Sequence, residues 1–208
     1  MALHRSSAAT ELRGIVERQY PRDDRGLIAQ LCDSSPAVRR RAARDLASHA
    51  DAALLLGERL GVETEPSVRE ALFTALTMYP SEAAARTLLA LLRTEDARLR
   101  NGAIEALAAM PAAVGPHITS LLRDPDSDVR IFTVNLLIDL RHARVAQWLL
   151  QVLQEETHVN VVAAAIEVLA EVGTVAELPA LRGARERFAD DVFIGFATDI
   201  AIERIEAE

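Results

Sequence analysis

Residues 121–130 read LLRDPDSDVR: two leucines and an Arg, then a break that contains Asp and Pro, then a Val-Arg pair. A pair of this kind, an apolar residue and Arg, begins a pattern of small and apolar residues, spaced as on one face of an α-helix, that occurs in six copies along the chain. In the last two copies Val162 and Phe193 stand where the first four have Arg. The second residue of the pair lies at positions 39, 69, 100, 130, 162 and 193, at intervals of 30, 31, 30, 32 and 31 residues. A period of this length indicates stacked supersecondary units.

Each copy predicts one helix, here termed the B helix, and a Leu-rich segment upstream of it predicts a second, the A helix. The Leu-rich segments lie near 54–60, 88–92, 118–122, 148–153 and 178–181. The breaks between A and B contain helix-capping side chains, and Pro36 and Pro66 suit a first helical turn. The sequence therefore predicts an all-α fold, a right-handed α-solenoid of about six helical hairpins over residues 25–208. Residues 1–24 are expected to form an N-terminal capping helix, at 8–20, and a linker.

Composition narrows the class of protein. The chain has 208 residues, of which 50% are hydrophobic and 4% aromatic, and no apolar run approaches the ~18 residues of a membrane span. No apolar stretch of secretory type follows the first residues, so we expect a cytoplasmic protein that does not contact membranes. The single cysteine, Cys32, can form no internal disulfide and is expected to be a buried small hydrophobic residue.

The charge distribution argues against nucleic-acid binding. All 23 basic residues are Arg, and the net charge is −8. Residues 1–69 contain 11 Arg and 10 acidic residues, a net charge of +1, whereas residues 70–208 contain 12 Arg and 21 acidic residues, a net charge of −9. Binding to a phosphate backbone depends on clustered positive charge. That alternative therefore rests on the short basic run at 39–41 and on Arg44 alone.

With its repeats aligned, the chain resembles the HEAT-repeat family, and within it the bacterial HEAT-like repeats of the phycobilisome-lyase type. The resemblance rests on the apolar A helix, the Asp-containing turn and the B helix that opens Val-Arg, as in residues 121–130. It implies that the B helices line a concave face and that each Arg at the start of B pairs with an acid of the A–B turn. The implied pairs involve Arg69, Arg100 and Arg130, with Glu65, Asp96 and Asp126 as acids. It also leaves open a chromophore-lyase-like protein that handles a cofactor.

We find no arrangement of residues that indicates catalysis. No two of the five His residues have the i, i+4 spacing of a helical metal site, and none precedes Glu as in the di-iron HEAT enzymes. The acids at 124–128 match the start of a calcium-binding loop, but Val129 and Asn135 stand where that loop needs Gly and Glu. A helix cap explains these acids better. Trp148 is expected in the core or on the convex surface, and we expect no enzymatic activity, no cofactor and no metal.

Binding of a partner protein is the function that the sequence favours. Residues one, five and nine positions after the second residue of each pair are expected to face a concave groove. The residues along this groove run from basic, through polar and acidic, to apolar. We therefore expect a non-enzymatic adaptor or scaffold that holds a basic or amphipathic segment of another protein, with two apolar residues as anchors. The expected contact residues are Arg40, Arg44, Glu70, Asn101, Glu105, Ile131, Phe132, Asn135, Asp139, Glu167 and Glu171.

The last B helix is apolar on nearly all sides, although a terminal repeat normally presents a polar outer face. Burial in the core and docking, either to a partner or to a second copy as a homodimer, are both compatible with this pattern. The residues of such an interface would be Val192, Phe193, Ile194, Phe196 and Ile202.

Overall fold

Twelve α-helices make up the part of the chain that the computed structural model describes, residues 21, 23–49 and 52–207. The A helices are α1 (Asp24–Leu31), α3 (Ala52–Val62), α5 (Glu82–Ala90), α7 (Pro111–Leu121), α9 (Val145–Glu155) and α11 (Leu178–Arg187). The B helices are α2 (Pro36–Leu46), α4 (Pro66–Met78), α6 (Ala97–Ala108), α8 (Ser127–Leu136), α10 (Val159–Val172) and α12 (Val192–Ala207). The predicted all-α solenoid is confirmed, whereas the capping helix expected at 8–20 lies outside the described residues. Across the described ranges, every helix is too short or too polar to cross a bilayer.

Helix boundaries follow local sequence signals. The helices α2, α4 and α7 begin with Pro at a position where the missing N–H leaves no hydrogen bond unmade. The helices α6 and α8 follow Asp96 and Asp126, whose carboxylates accept hydrogen bonds from backbone N–H groups of the first turn. Among the acids at 124–128, Asp126 is thus a helix cap, as the sequence indicated.

Each A helix packs against the B helix that follows it, and the six hairpins stack side by side. B helices contact B helices along the stack, from α2 against α4 to α10 against α12. The buried apolar residues form one continuous cluster from Leu31 in α1 to Ile205 in α12. Because each fully buried Leu stabilises the fold by about 1.5–3 kcal/mol, this shared core accounts for the stacking.

The last B helix, α12, does not keep the register of the other copies. Its buried residues are Ile194, Thr198, Ala201 and Ile205, and its outward residues are Val192, Phe193, Phe196 and Ile200. The prediction that Ile194 belongs to an exposed interface is therefore wrong, since this side chain is fully buried. Because α12 has apolar residues on both sides, it could be buried in two registers. Packing against α10 and α11 selects the register that is displaced by two residues from that of the other B helices.

Candidate functional site

Arginines at the start of the B helices join neighbouring hairpins at the A–B turns. Arg39 in α2 donates hydrogen bonds of 2.7 and 2.9 Å to the carboxylate of Glu63 in the following hairpin. The same guanidinium donates to the backbone carbonyls of Asp33 and Ser34 in its own turn. This side chain therefore fixes both the turn and the stacking of the first hairpin on the second.

Glu63 is the most strongly held carboxylate of this ladder. Besides Arg39, the guanidinium of Arg59 donates to it at 2.7 and 3.0 Å, and so do the backbone N–H groups of Thr64 and Glu65. Its side chain is only 1% exposed. Burial alone raises the pKa of Glu63, but the hydrogen bonds from Arg39, Glu65 and Arg59 outweigh it and lower the pKa to about 2.

The same pairing recurs further along the stack. Arg69 pairs with Asp96 at 2.8 Å and Arg130 with Glu156 at 2.7 Å, each reaching the next hairpin. Each Arg also donates to the backbone carbonyl six residues before it. The resemblance had implied acids of the same turn as partners, and that expectation is wrong: carbonyls occupy the near side of each guanidinium, so its far side meets the next hairpin. Asp126 instead caps α8.

Arg100 does not pair with an acid of the next hairpin as the other ladder arginines do. It covers Phe132, one of the two apolar residues that were predicted to hold a partner. Its guanidinium donates to the Thr94 carbonyl at 2.8 Å and lies 4.3 Å from the centre of the Phe132 ring. A cation over an aromatic face is a favourable contact. Phe132 and Ile131 are half-buried and pack against the core. The apolar pair expected to anchor a partner is therefore largely occupied by contacts within the chain.

A groove crosses the B helices of the first three hairpins. It consists of two adjoining cavities of about 280 and 470 Å³, the first between α2 and α4 and the second between α4 and α6. Both are lined by Glu70 and Thr74 of α4, so they are continuous. We call this surface the B-helix groove. It contains four residues that the sequence analysis predicted as partner contacts: Arg40, Arg44, Glu70 and Glu105.

The larger cavity has an apolar floor that depends on one glycine. Phe73 of α4 lies against Gly102 of α6, where a Cβ atom would come within 2.5 Å of the Phe73 ring. The ring is half-buried and lines the cavity together with Ala106 and Ala109. A glycine in a helix interior normally costs stability, so its use here makes space for the ring.

Some charged side chains along the B-helix groove form ion pairs within the chain, and others do not. Arg69 is neutralised by Asp96, and Arg40 donates to the hydroxyl of Ser67 at 3.2 Å. Glu70 and Glu105 line the larger cavity, and neither carboxylate forms an ion pair with a described residue. Two arginines, Arg44 and Arg98, likewise have no ion pair within the described ranges. The groove therefore presents both signs of charge to a ligand.

The other predicted contacts lie outside these two cavities. Asn101, Asn135 and Glu167 are exposed on the B helices, in agreement with the expected orientation. Asp139 is exposed too, but it lies in the turn after α8, because that helix ends at Leu136. Glu171 is also exposed, but Arg204 of α12 donates to it at 2.6 and 2.8 Å. Three lining residues were not predicted: Phe73, Arg98 and Thr77. For Phe73 a signal existed in the sequence, since Gly102 is an unusual residue for a helix interior.

The end of the stack exposes an apolar face on α12. The side chains of Val192, Phe193, Phe196 and Ile200 are 86%, 55%, 63% and 46% exposed. Ile202, predicted for the same surface, is half-buried against the core. We call the four exposed residues the α12 face.

The residues considered above for ligand stacking, thiol chemistry or metal binding form no such site in the described ranges. Trp148 is fully buried, and His142 stacks on it with a centroid distance of 4.7 Å, so it is a core residue as expected. Cys32 follows the last residue of α1 and is exposed, so the expectation of burial is wrong; at this C-cap position the chain leaves the helix, and the adjacent Leu31 is the buried residue. In the described ranges, no three His, Cys, Asp or Glu side chains are grouped as a metal site would require.

A known family has the same repeat pattern. The sequence pattern of HEAT repeats matches residues 25–109 and 115–194. An engineered protein is structurally similar, with 20% identity, a TM-score of 0.40 and coverage of 87% of this chain and 95% of its own. One chain in the structure of the complex of CpcE and CpcF of phycocyanin lyase from Nostoc sp. PCC7120 has 23% identity and a TM-score of 0.38, with coverage of 86% of this chain and 81% of its own. No curated protein matches the sequence. Since the repeat pattern spans most of its length, the chain belongs to the HEAT-repeat family.

Proposed function

We propose that the chain is a non-enzymatic adaptor or scaffold that binds a segment of another protein in the B-helix groove. The observation that carries this proposal is one groove that combines an apolar floor at Phe73 with the unpaired carboxylates of Glu70 and Glu105. Peptide segments supply apolar and charged side chains on one face, which such a groove complements. A bacterial, cytoplasmic setting is part of the proposal and rests on the family resemblance and composition.

The chemistry of the groove favours a basic or amphipathic segment. Apolar side chains of the segment would cover Phe73, and its cations would meet Glu70 and Glu105. Two further exposed acids, Asp139 in the turn after α8 and Glu167 on α10, add negative charge in later hairpins. Complementary charge of this kind speeds association and fixes the register of the bound segment.

Charge reversal in the groove tests the proposal. Proteins that co-purify with the wild-type chain from its native host are identified, and the bound segment is synthesised and titrated by calorimetry. The double variant Glu70→Arg, Glu105→Arg should weaken its affinity at least tenfold, which corresponds to about 1.4 kcal/mol. The matched control is Glu58→Arg, an exposed acid on the A helix α3. Equal affinities for the double variant and the control would refute the proposal.

We also propose that the α12 face joins two copies of the chain. Its four apolar residues form a stripe along one side of α12. A twofold contact between two such stripes closes, whereas contact with the opposite end of the stack would continue into a filament. Phe196→Glu should shift the mass measured by light scattering from dimer to monomer, and Leu54→Glu, 65% exposed on α3, should not. A wild-type monomer at all concentrations would refute this second interface.

A further inference from the structure

We propose that the cavity between α4 and α6 is a pocket for a single cationic side chain, Arg or Lys, of the bound segment. This inference rests on the proposed function and specifies what the B-helix groove recognises. The pocket is defined by Glu70, Phe73, Gly102 and Glu105. Its volume of about 470 Å³ lies within the range of pockets that enclose small ligands.

Two carboxylates on different helices supply the negative charge of the pocket. Glu70 projects from the first half of α4, and Glu105 from the second half of α6. Both side chains are exposed, and neither pairs with any cation in the described part of the chain. Elsewhere in the stack, acids near the A–B turns are held by arginines, as Glu63, Asp96, Asp124 and Glu156 are. The two groove acids are therefore available to a cation from outside.

The floor of the pocket adds an aromatic surface. Phe73 lies half-buried between α4 and α6, in the space that the missing Cβ of Gly102 leaves. A guanidinium or ammonium group over a phenyl ring is attracted to the negative face of the ring. The chain already contains such a contact one hairpin further on, where Arg100 lies over Phe132. At Phe73 no described cation covers the ring.

The arginines that line the pocket do not turn it into an anion site. Arg69 is 19% exposed, pairs with Asp96 and donates to the Glu63 carbonyl, so its donors point to the ladder. Arg98 lies in the first turn of α6 and is exposed to solvent. It can meet a carboxylate beside the bound cation in the partner segment. The pocket thus favours a basic residue with an acidic neighbour.

The inference is tested with a small probe, N-acetyl-arginine amide, and its neutral isostere, N-acetyl-citrulline amide. Each is titrated into the ¹⁵N-labelled protein and followed by the amide shifts of Thr74, Thr77, Ala106 and Ala109. The arginine probe should shift these amides in a saturable manner, and citrulline should shift them at least tenfold less. Glu70→Gln with Glu105→Gln should reduce the arginine affinity at least tenfold, and the control Glu58→Gln should leave it unchanged.

Equal shifts with both probes would overturn the proposal of a cation pocket, and so would arginine binding that persists in the double variant. The outcomes also separate this inference from the proposed function. If the arginine probe does not bind but a partner segment still titrates the groove amides, the pocket is wrong and the adaptor proposal stands. If the probe binds as expected and charge reversal leaves partner affinity unchanged, the adaptor proposal is wrong.

Discussion

Replacing Glu63 by Gln should destabilise the protein by about 3 kcal/mol at neutral pH. The carboxylate accepts six hydrogen bonds, four of them from Arg39 and Arg59, while its side chain is 1% exposed. Its pKa falls from an ordinary 4.5 to about 2, a difference that corresponds to roughly 3 kcal/mol of stability once the group is ionised. Removing one partner of a buried ion pair costs a similar amount, about 3–5 kcal/mol, because Arg39 is then left buried without its counter-ion.

The sign of the pH dependence follows from the same pKa. Because the pKa of Glu63 is lower in the folded than in the unfolded chain, the unfolded chain binds more protons between about pH 4.5 and pH 2. The stabilisation is therefore fully present above pH 4.5 and is lost as the pH falls towards 2. The Glu63→Gln variant should lack this part of the loss of stability in acid. The difference in free energy of unfolding between the variant and the wild type should therefore shrink steadily towards pH 2.

Urea unfolding at several pH values, followed by circular dichroism, measures both effects. The control is Glu58→Gln, an exposed residue of α3, the helix that ends just before Glu63, and it should change the free energy of unfolding by less than about 0.5 kcal/mol. A Glu63→Gln variant within that margin at pH 7 would refute the ladder as a source of stability. An unchanged gap between the two proteins from pH 7 to pH 2 would refute the assigned pKa.

Three further perturbations follow from particular contacts. Leu72→Ala, at a fully buried site in α4, should lower the free energy of unfolding by about 2–5 kcal/mol in urea titrations, whereas Leu54→Ala, at a 65% exposed site, should change it by less than about 1 kcal/mol. Gly102→Ala should gain less than the ~1 kcal/mol of helix propensity, because its Cβ displaces the Phe73 ring, and the aromatic ¹H shifts of Phe73 should move. Glu156→Gln should be destabilising, because Arg130, only 15% exposed, loses its ion pair, and a thermal melt equal to that of the exposed variant Glu186→Gln would contradict this.

The repeat pattern allowed the stack to be predicted because each copy has the same helix face, as in Val68 and Leu72 of α4. It could not identify the partners of the ladder arginines. Those depend on how far one hairpin is displaced from the next, which brings Arg69 to Asp96 in the following turn. The prediction of which α12 residues are buried was wrong for a related reason. With apolar residues on both sides, only contact with α10 and α11 distinguishes Ile194 from Val192 as the buried residue.

The candidate site was predicted in part. Counting positions on a B helix placed Arg40, Glu70 and Glu105 on the groove, since helix periodicity fixes which side chains share a face. It did not find the Phe73 floor, which depends on how closely α4 and α6 approach at Gly102. Nor did it show that Phe132 is covered by Arg100, because that contact joins two hairpins.

Photo-crosslinking from the groove in the native host tests the adaptor proposal most directly. A photo-reactive amino acid is placed at Thr74, which lines both cavities of the groove, and separately at Leu54, exposed on the A helix α3. The photo-reactive residue at position 74 should yield a covalent adduct with one partner protein, through a segment that contains an Arg or Lys, and the one at position 54 should not. The same partner captured equally from both positions, or from Leu54 alone, would contradict the claim that the B-helix groove is the binding surface.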